Sequence, residues 1–166
     1  MTAPAALDLG LSPSMPRGIE AEPLFDMHVD LAPAQAITSP GGTRMVFIAE
    51  RGVFRGERLA GEVLPGGGDW LLVGTDRVGR IDARATLRTD DGALIGFTNT
   101  GVIDLGEEGL EIYGRGEDVP WDKAYIRSTP LFETGDERYA WLNRTVSVAI
   151  NELGPRHVNY RIFAVA

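Results

Sequence analysis

Asp82 and Arg84 stand two residues apart in "GRIDARATLRT", a spacing that could do chemistry. In an extended segment side chains alternate between faces, so a carboxylate and a guanidinium at i and i+2 lie on the same side. Arginine can hold an anionic oxygen in its planar fork, and an aspartate beside it can orient the ligand or move a proton. The plain alternative is a solvated face carrying a surface ion pair of small energetic value. The two readings differ only in which way the face points.

A second cluster lies in "LFETGDERYAWLN" (131–143). Glu133 follows Phe132, so partial burial would raise its pKa toward that of a general acid or base; otherwise it is a capping or loop carboxylate. Tyr139, Trp141 and Asn143 share one parity on an expected strand. Two aromatics followed by an amide suit a pocket wall, apolar in shape with groups that fix orientation. The rival is an aromatic rim covered by a loop or a second subunit. Asp69 and Trp70 follow "PGGG", which lacks the spacing and lysine of a phosphate loop; Asp69 is expected to satisfy turn amides, and Trp70 to shape a cavity. His28 and His157 have no second ligand at metal-binding spacing, so no metal site is expected. There is no cysteine and no G-x-S-x-G elbow, which removes thiol chemistry and leaves no context for a serine nucleophile.

These groups need a scaffold, and the punctuation of the chain suggests one. Twenty-one glycines and ten prolines in 166 residues divide it into alternating segments, the pattern of an antiparallel sandwich or barrel with little helix. Strands are expected near 20–31, 43–50, 52–64, 69–74, 79–88, 93–101, 110–114, 123–128, 137–151 and 156–165. The last but one could open with a helical turn. "TDDG" (89–92) is a hairpin signal because glycine tolerates positive φ, and "LGEEG" (105–109) reads as another turn. Consecutive hairpins make a meander, which tends to close and so remove its edges. Residues 20–166 are expected to form one domain, preceded by a loose arm over 1–19.

Net charge of −8, with Lys123 the only lysine among sixteen cations, argues against nucleic acid as a partner. No apolar run reaches the length of a membrane span, and the first residues lack the pattern of a secretory signal. The expectation is a cytoplasmic chain without membrane partners, with a homodimer allowed for.

The ordered set "GGTR" (41–44), "GVFRGERLAGEVLPGGGDW" (52–70), "DAR" (82–84), "TDDGALI" (89–95), "AYIRSTPLFETGD" (124–136) and "YAWLN" (139–143) resembles domain-of-unknown-function family 3237, also called the UPF0311 family. The likeness runs over about residues 20 to 166. It implies a compact closed antiparallel barrel of about eight to ten strands, calycin-like or allene-oxide-cyclase-like. By analogy with such barrels it also suggests a cofactor-free enzyme or a small-ligand binder. Arg44, Asp69, Trp70, Asp82, Arg84, Asp90, Asp91, Glu133, Tyr139, Trp141 and Asn143 fall at recurrent positions of the family. Ala85, where an aromatic is common, is a departure.

Taken together, the expectation is an acid–base enzyme without metal or cofactor, a hydratase, lyase, isomerase or cyclase. Its substrate would be a small hydrophobic or aromatic carbonyl or carboxylate compound. Arg84, with Arg44, would hold the oxygen anion. Asp82 or Glu133 would move the proton and Tyr139 would donate a hydrogen bond. Trp70, Trp141 and Asn143 would form the pocket. The rivals are a non-catalytic ligand-binding barrel and an interaction protein whose aromatic face is a subunit interface.

Overall fold

A computed structural model describes residues 12–166. Ten strands and two short helices follow one another: β1 (Ala21–Leu31), β2 (Gln35–Ser39), β3 (Gly42–Arg55), β4 (Ala60–Val63), β5 (Gly68–Val73), β6 (Gly79–Thr89), β7 (Leu94–Asp104), α1 (Gly106–Gly114), β8 (Tyr125–Glu133), a 3-10 helix (Glu137–Arg144), β9 (Ser147–Gly154) and β10 (His157–Val165). All pairings are antiparallel. From β6 the wall runs through β7, β8, β9 and β10 to β1, and β1 pairs with β3, which closes the barrel. Between β3 and β6, β4 and β5 occupy one position in turn, each pairing with both neighbours. β2 is an outer hairpin partner of β3.

The expected closed barrel is thus what the chain forms, with differences in detail. The segments expected at 43–50 and 52–64 are one long strand, β3, and the short β4. Residues 110–114 belong to α1 instead of a strand. Glu107 and Glu108 lie in its first turn, where carboxylates complement the helix dipole and prevail over the short Leu110–Glu111–Ile112 alternation. The expected strand 137–151 is a 3-10 helix followed by β9. Asp136 starts that helix by accepting the Arg138 backbone N–H, a capping contact that outweighs the alternation. Of the expected arm, residues 1–11 lie outside the described part, and 12–19 are exposed turns and bends. Among the described residues no helix is long and apolar enough to cross a membrane.

Inward-facing side chains divide the barrel along its axis. The half nearest the β6–β7 hairpin is packed solid. Phe25 touches Phe54 and Phe132 with ring centroids 5.3 and 5.7 Å apart, and Phe97 reaches Phe132 at 5.9 Å. Leu87, Ile95, Ile162 and Leu142 fill the spaces between them. The half toward the β5–β6 and β9–β10 turns is looser. There Met27, Val29, Phe47, Leu71, Ile81, Ile103 and Val158 surround a cavity of about 70 Å³.

Candidate active site in the barrel lumen

β6 settles the direction of the first cluster. Ile81, Ala83, Ala85 and Leu87 face the lumen, while Asp82, Arg84, Thr86 and Arg88 are exposed on the outside. The alternation is as expected, but the apolar face is the inner one, because burying four aliphatic side chains outweighs sheltering two charges that water solvates well. Asp82 and Arg84 are therefore exposed on the outer face, although Arg84 is also among the residues that border the cavity, between Ala83 and Ala85. Arg44 also lies on the outer parity of β3, where its Nη1 donates to the Trp70 carbonyl at 2.6 Å and ties β3 to β5. Trp70 is 41% exposed on the outer wall.

The second cluster forms a latch at the closed end. The β6–β7 turn places Gly92 at φ 92°, and its amide donates to the Thr89 carbonyl, so the "TDDG" signal is a hairpin. The Asp91 carboxylate accepts from the Thr89 hydroxyl, from Arg138 Nη1 at 2.8 Å and from the Tyr139 hydroxyl at 3.0 Å. These contacts hold its pKa below the usual carboxylate range, the Thr89 hydrogen bond foremost. Trp141 carries the Arg58 guanidinium over its ring, 3.6 Å from the centroid. Asn143 clasps Thr134 at two points, accepting its N–H at 2.8 Å and donating to its carbonyl at 2.9 Å. Glu133 is exposed at the end of β8, so the partial burial expected for it is absent. Leu142, 1% exposed, enters the barrel from the middle of this segment. Tyr139, Trp141 and Asn143 thus tie down a plug instead of lining the cavity.

The polar groups of the lumen are different ones. Asp69 shares inward parity with Leu71 on β5 and lines the cavity. Ladder pairs between β5 and β6 are present at Asp69–Ala83 and at Leu72–Arg80 but absent at the two positions between them. Asp69 Oδ1 accepts the free Asp82 N–H there, at 2.9 Å. It serves the facing strand, not the glycine turn. Burial among aliphatic groups pushes its carboxyl up to about 6. That rise survives the opposing Asp82 N–H bond, is helped by the Asp82 charge, and is partly offset by Arg44.

Tyr160, from β10, lines the same cavity and packs edge-on against Phe97, centroids 6.1 Å apart. Burial first, then the Asp69 charge, pushes its phenol pKa well up, against the pull of the adjacent Asn99 amide. It stays a neutral O–H donor. Asn99 is buried on β7; its amide reaches the Tyr160 hydroxyl, yet neither of its polar atoms makes a well-formed hydrogen bond. Asn151 lines the cavity and accepts from Ser128 Oγ at 3.2 Å. Each of these residues sits at an inward position of its strand, and that parity was the signal available in the sequence. Asp69 follows the parity of Leu71 and Val73, Asn99 that of Ile95 and Phe97, and Tyr160 that of Val158 and Ile162. Among the described residues no group of three or more His, Asp or Glu is placed to hold a metal ion.

Known proteins share this barrel. A crystal structure of a conserved protein of unknown function from Rhodopseudomonas palustris superposes with a TM-score of 0.86 at 26% identity, covering 91% of this chain and 100% of that one. A β-barrel-like protein from Acinetobacter baumannii gives 0.77 at 35% identity, over 91% and 98% of the two chains. A structure described as an enzyme from Penicillium herquei gives 0.67 at 22% identity, over 92% and 98%, a likeness of fold alone. In sequence, a UPF0311 protein of Clostridium acetobutylicum is 31% identical over 125 residues, 75% of this chain and 79% of that one. The family described as protein of unknown function (DUF3237) matches residues 19–165, and the chain belongs to it.

Proposed function

We propose that the lumen is the active site of an acid–base enzyme acting on a small, neutral, largely apolar molecule, with Asp69 as the group that moves the proton. One observation carries this reading: a carboxyl with its pKa raised to about 6 faces an aliphatic cavity. A catalytic acid or base works best with a pKa near the working pH, and burial is the usual way to bring a carboxyl there. A protein of the same fold is described as an enzyme, which agrees with the reading. The preference for a neutral ligand follows from charge. With Arg84 turned outward and Arg44 on the outer face, an anion in the lumen would meet a carboxylate without a facing cation. The substrate class expected from the sequence therefore narrows from carbonyl or carboxylate compounds to neutral ones.

A non-catalytic carrier is the second reading, favoured by the largely apolar lining. Two measurements test the first. The Asp69 carboxyl carbon, followed by NMR, is expected to titrate near pH 6. At pH 7.5, 1-hexanol is expected to shift lumen methyl resonances while hexanoate does not. Titration near 4, or preference for hexanoate, overturns the proposal.

A further inference from the structure

We propose, building on the acid–base reading of the lumen, that its substrate is a neutral carbonyl compound with an ionisable α C–H. Its oxygen sits on the Tyr160 hydroxyl, and Asn99 is the positioning residue behind that hydroxyl. The starting observation is the Asn99 amide. A buried polar side chain without a well-formed partner destabilises a fold, and here both polar atoms are in that state. The Tyr160 hydroxyl lies against it. When a ligand oxygen draws the hydroxyl proton into the cavity, the freed phenol oxygen can accept the Asn99 Nδ2–H. This makes a chain from amide through hydroxyl to ligand, in which each link strengthens the next. Tyr160 keeps its proton in this setting, so it donates to the ligand and does not compete with Asp69 as the base.

The chemistry follows from what the lumen contains. The Asp69 carboxylate takes a proton from the carbon next to the carbonyl. The C–H electron pair becomes the C=C bond of an enolate, and the carbonyl π pair moves to oxygen, where the Tyr160 hydrogen bond stabilises the charge. The protonated Asp69 returns its proton to the same carbon, giving exchange or inversion, or to the far carbon of a conjugated system, giving a double-bond shift. Atoms and electrons balance without a further reactant. A buried carboxylate base facing a neutral donor on oxygen is an arrangement known to support such proton shifts. Size limits the ligand. A cavity of about 150 Å³ accepts benzene, so about 70 Å³ admits the carbonyl head and a few carbons. The remainder would lie toward the rim, where Ile103, Leu153 and Val158 are only half-buried.

The full chain in D2O with 2-heptanone as probe tests this, the α-proton signals being followed by ¹H NMR and binding by shifts of lumen methyls. The wild type is expected to exchange α-protons faster than buffer, with a rate that rises through about pH 6. Asp69→Asn should bring exchange to the buffer rate. Tyr160→Phe should lower it by about 10²-fold while retaining the rise with pH. Asn99→Ala should lower kcat with KM little changed, an effect that general loosening of the barrel would not give. Three results overturn the inference: no binding of 2-heptanone, binding without exchange, or exchange indifferent to Tyr160→Phe. If any of these occurs while Asp69 still titrates near pH 6, the inference falls and the acid–base reading stands. Titration of Asp69 near 4 removes both.

Discussion

The two ends of the barrel handle polar groups in opposite ways. At the hairpin end the carboxylates of Asp91 and Asp136 are answered by Arg138, the Thr89 and Tyr139 hydroxyls and backbone amides, over an aromatic core with Leu142 as its plug. In the cavity half one carboxylate has a single N–H partner, a tyrosine stays neutral, and a buried amide lacks a well-formed partner. Satisfied polar groups stabilise a fold. Unsatisfied ones in an apolar setting are tolerated where a ligand or a reaction makes use of them. The contrast sets the stabilising contacts at one end and the proposed site in the other half.

The sharpest attack on the closed end is Leu142→Ala. Truncating a fully buried leucine leaves a cavity, and a loss of about 2–5 kcal/mol is expected, read from the denaturant midpoint. The latch residues Arg138, Tyr139 and Asn143 remain in place in this variant. A loss under about 1 kcal/mol, within the usual range of surface substitutions and mild repacking, would show that the segment collapses readily and is not a plug.

In the cavity half the expected sign reverses. A carboxyl at about 6 when folded and 3.8 at its ordinary value binds its proton more tightly in the folded state. Its stabilising effect is full below pH 3.8 and is lost as pH rises through about 6, the loss amounting to about 3 kcal/mol by neutrality. Asp69→Asn keeps an oxygen for the Asp82 N–H and removes the charge. The variant is expected to be more stable than wild type at pH 7.5 and nearly equal to it at pH 3.5, by denaturant unfolding at both values. Equal or lower stability at pH 7.5 would mean that Asp69 is ordinarily solvated.

Much of the fold could be read from the chain. Alternation on β6, the hairpin at Gly92 and the spacing of glycines all point to a closed meander. The candidate site was largely hidden, for a physical reason. Dense polar motifs attract attention, yet a folded chain puts dense charge where water or other charges answer it, as at Asp91 and Arg138. A site inside a small barrel is sparse by necessity, because each inward polar group displaces apolar burial. Asp69, Asn99 and Tyr160 are single polar residues on apolar parities, on three strands 30 and 61 residues apart along the chain. Their convergence is a property of register: Asp69 faces Ala83 on β6, and Ala83 faces Asn99 on β7. No local motif contains that alignment. The α1 segment is hidden for a different reason: its Leu110–Glu111–Ile112 alternation reads as a strand, while the carboxylates that favour a helix lie ahead of it at Glu107 and Glu108.

The smallest expected effect tests the division most directly. Arg84 lies beside the cavity in sequence, between two inward alanines, yet its side chain is exposed and makes no hydrogen bond or ion pair among the described residues. If the lumen alone binds the ligand, Arg84→Ala should change stability by no more than about 0.5 kcal/mol and leave 1-hexanol binding unaltered. It should also leave the Asp69 titration in place, because the outer-face charges that act on that carboxyl are those of Asp82 and Arg44. A rise in Asp69 pKa on loss of that cation, or a loss of ligand binding, would mean that the Arg84 guanidinium reaches into the lumen. The separation of the two faces by β6, on which the assignment of the site to Asp69 and Tyr160 rests, would then fail.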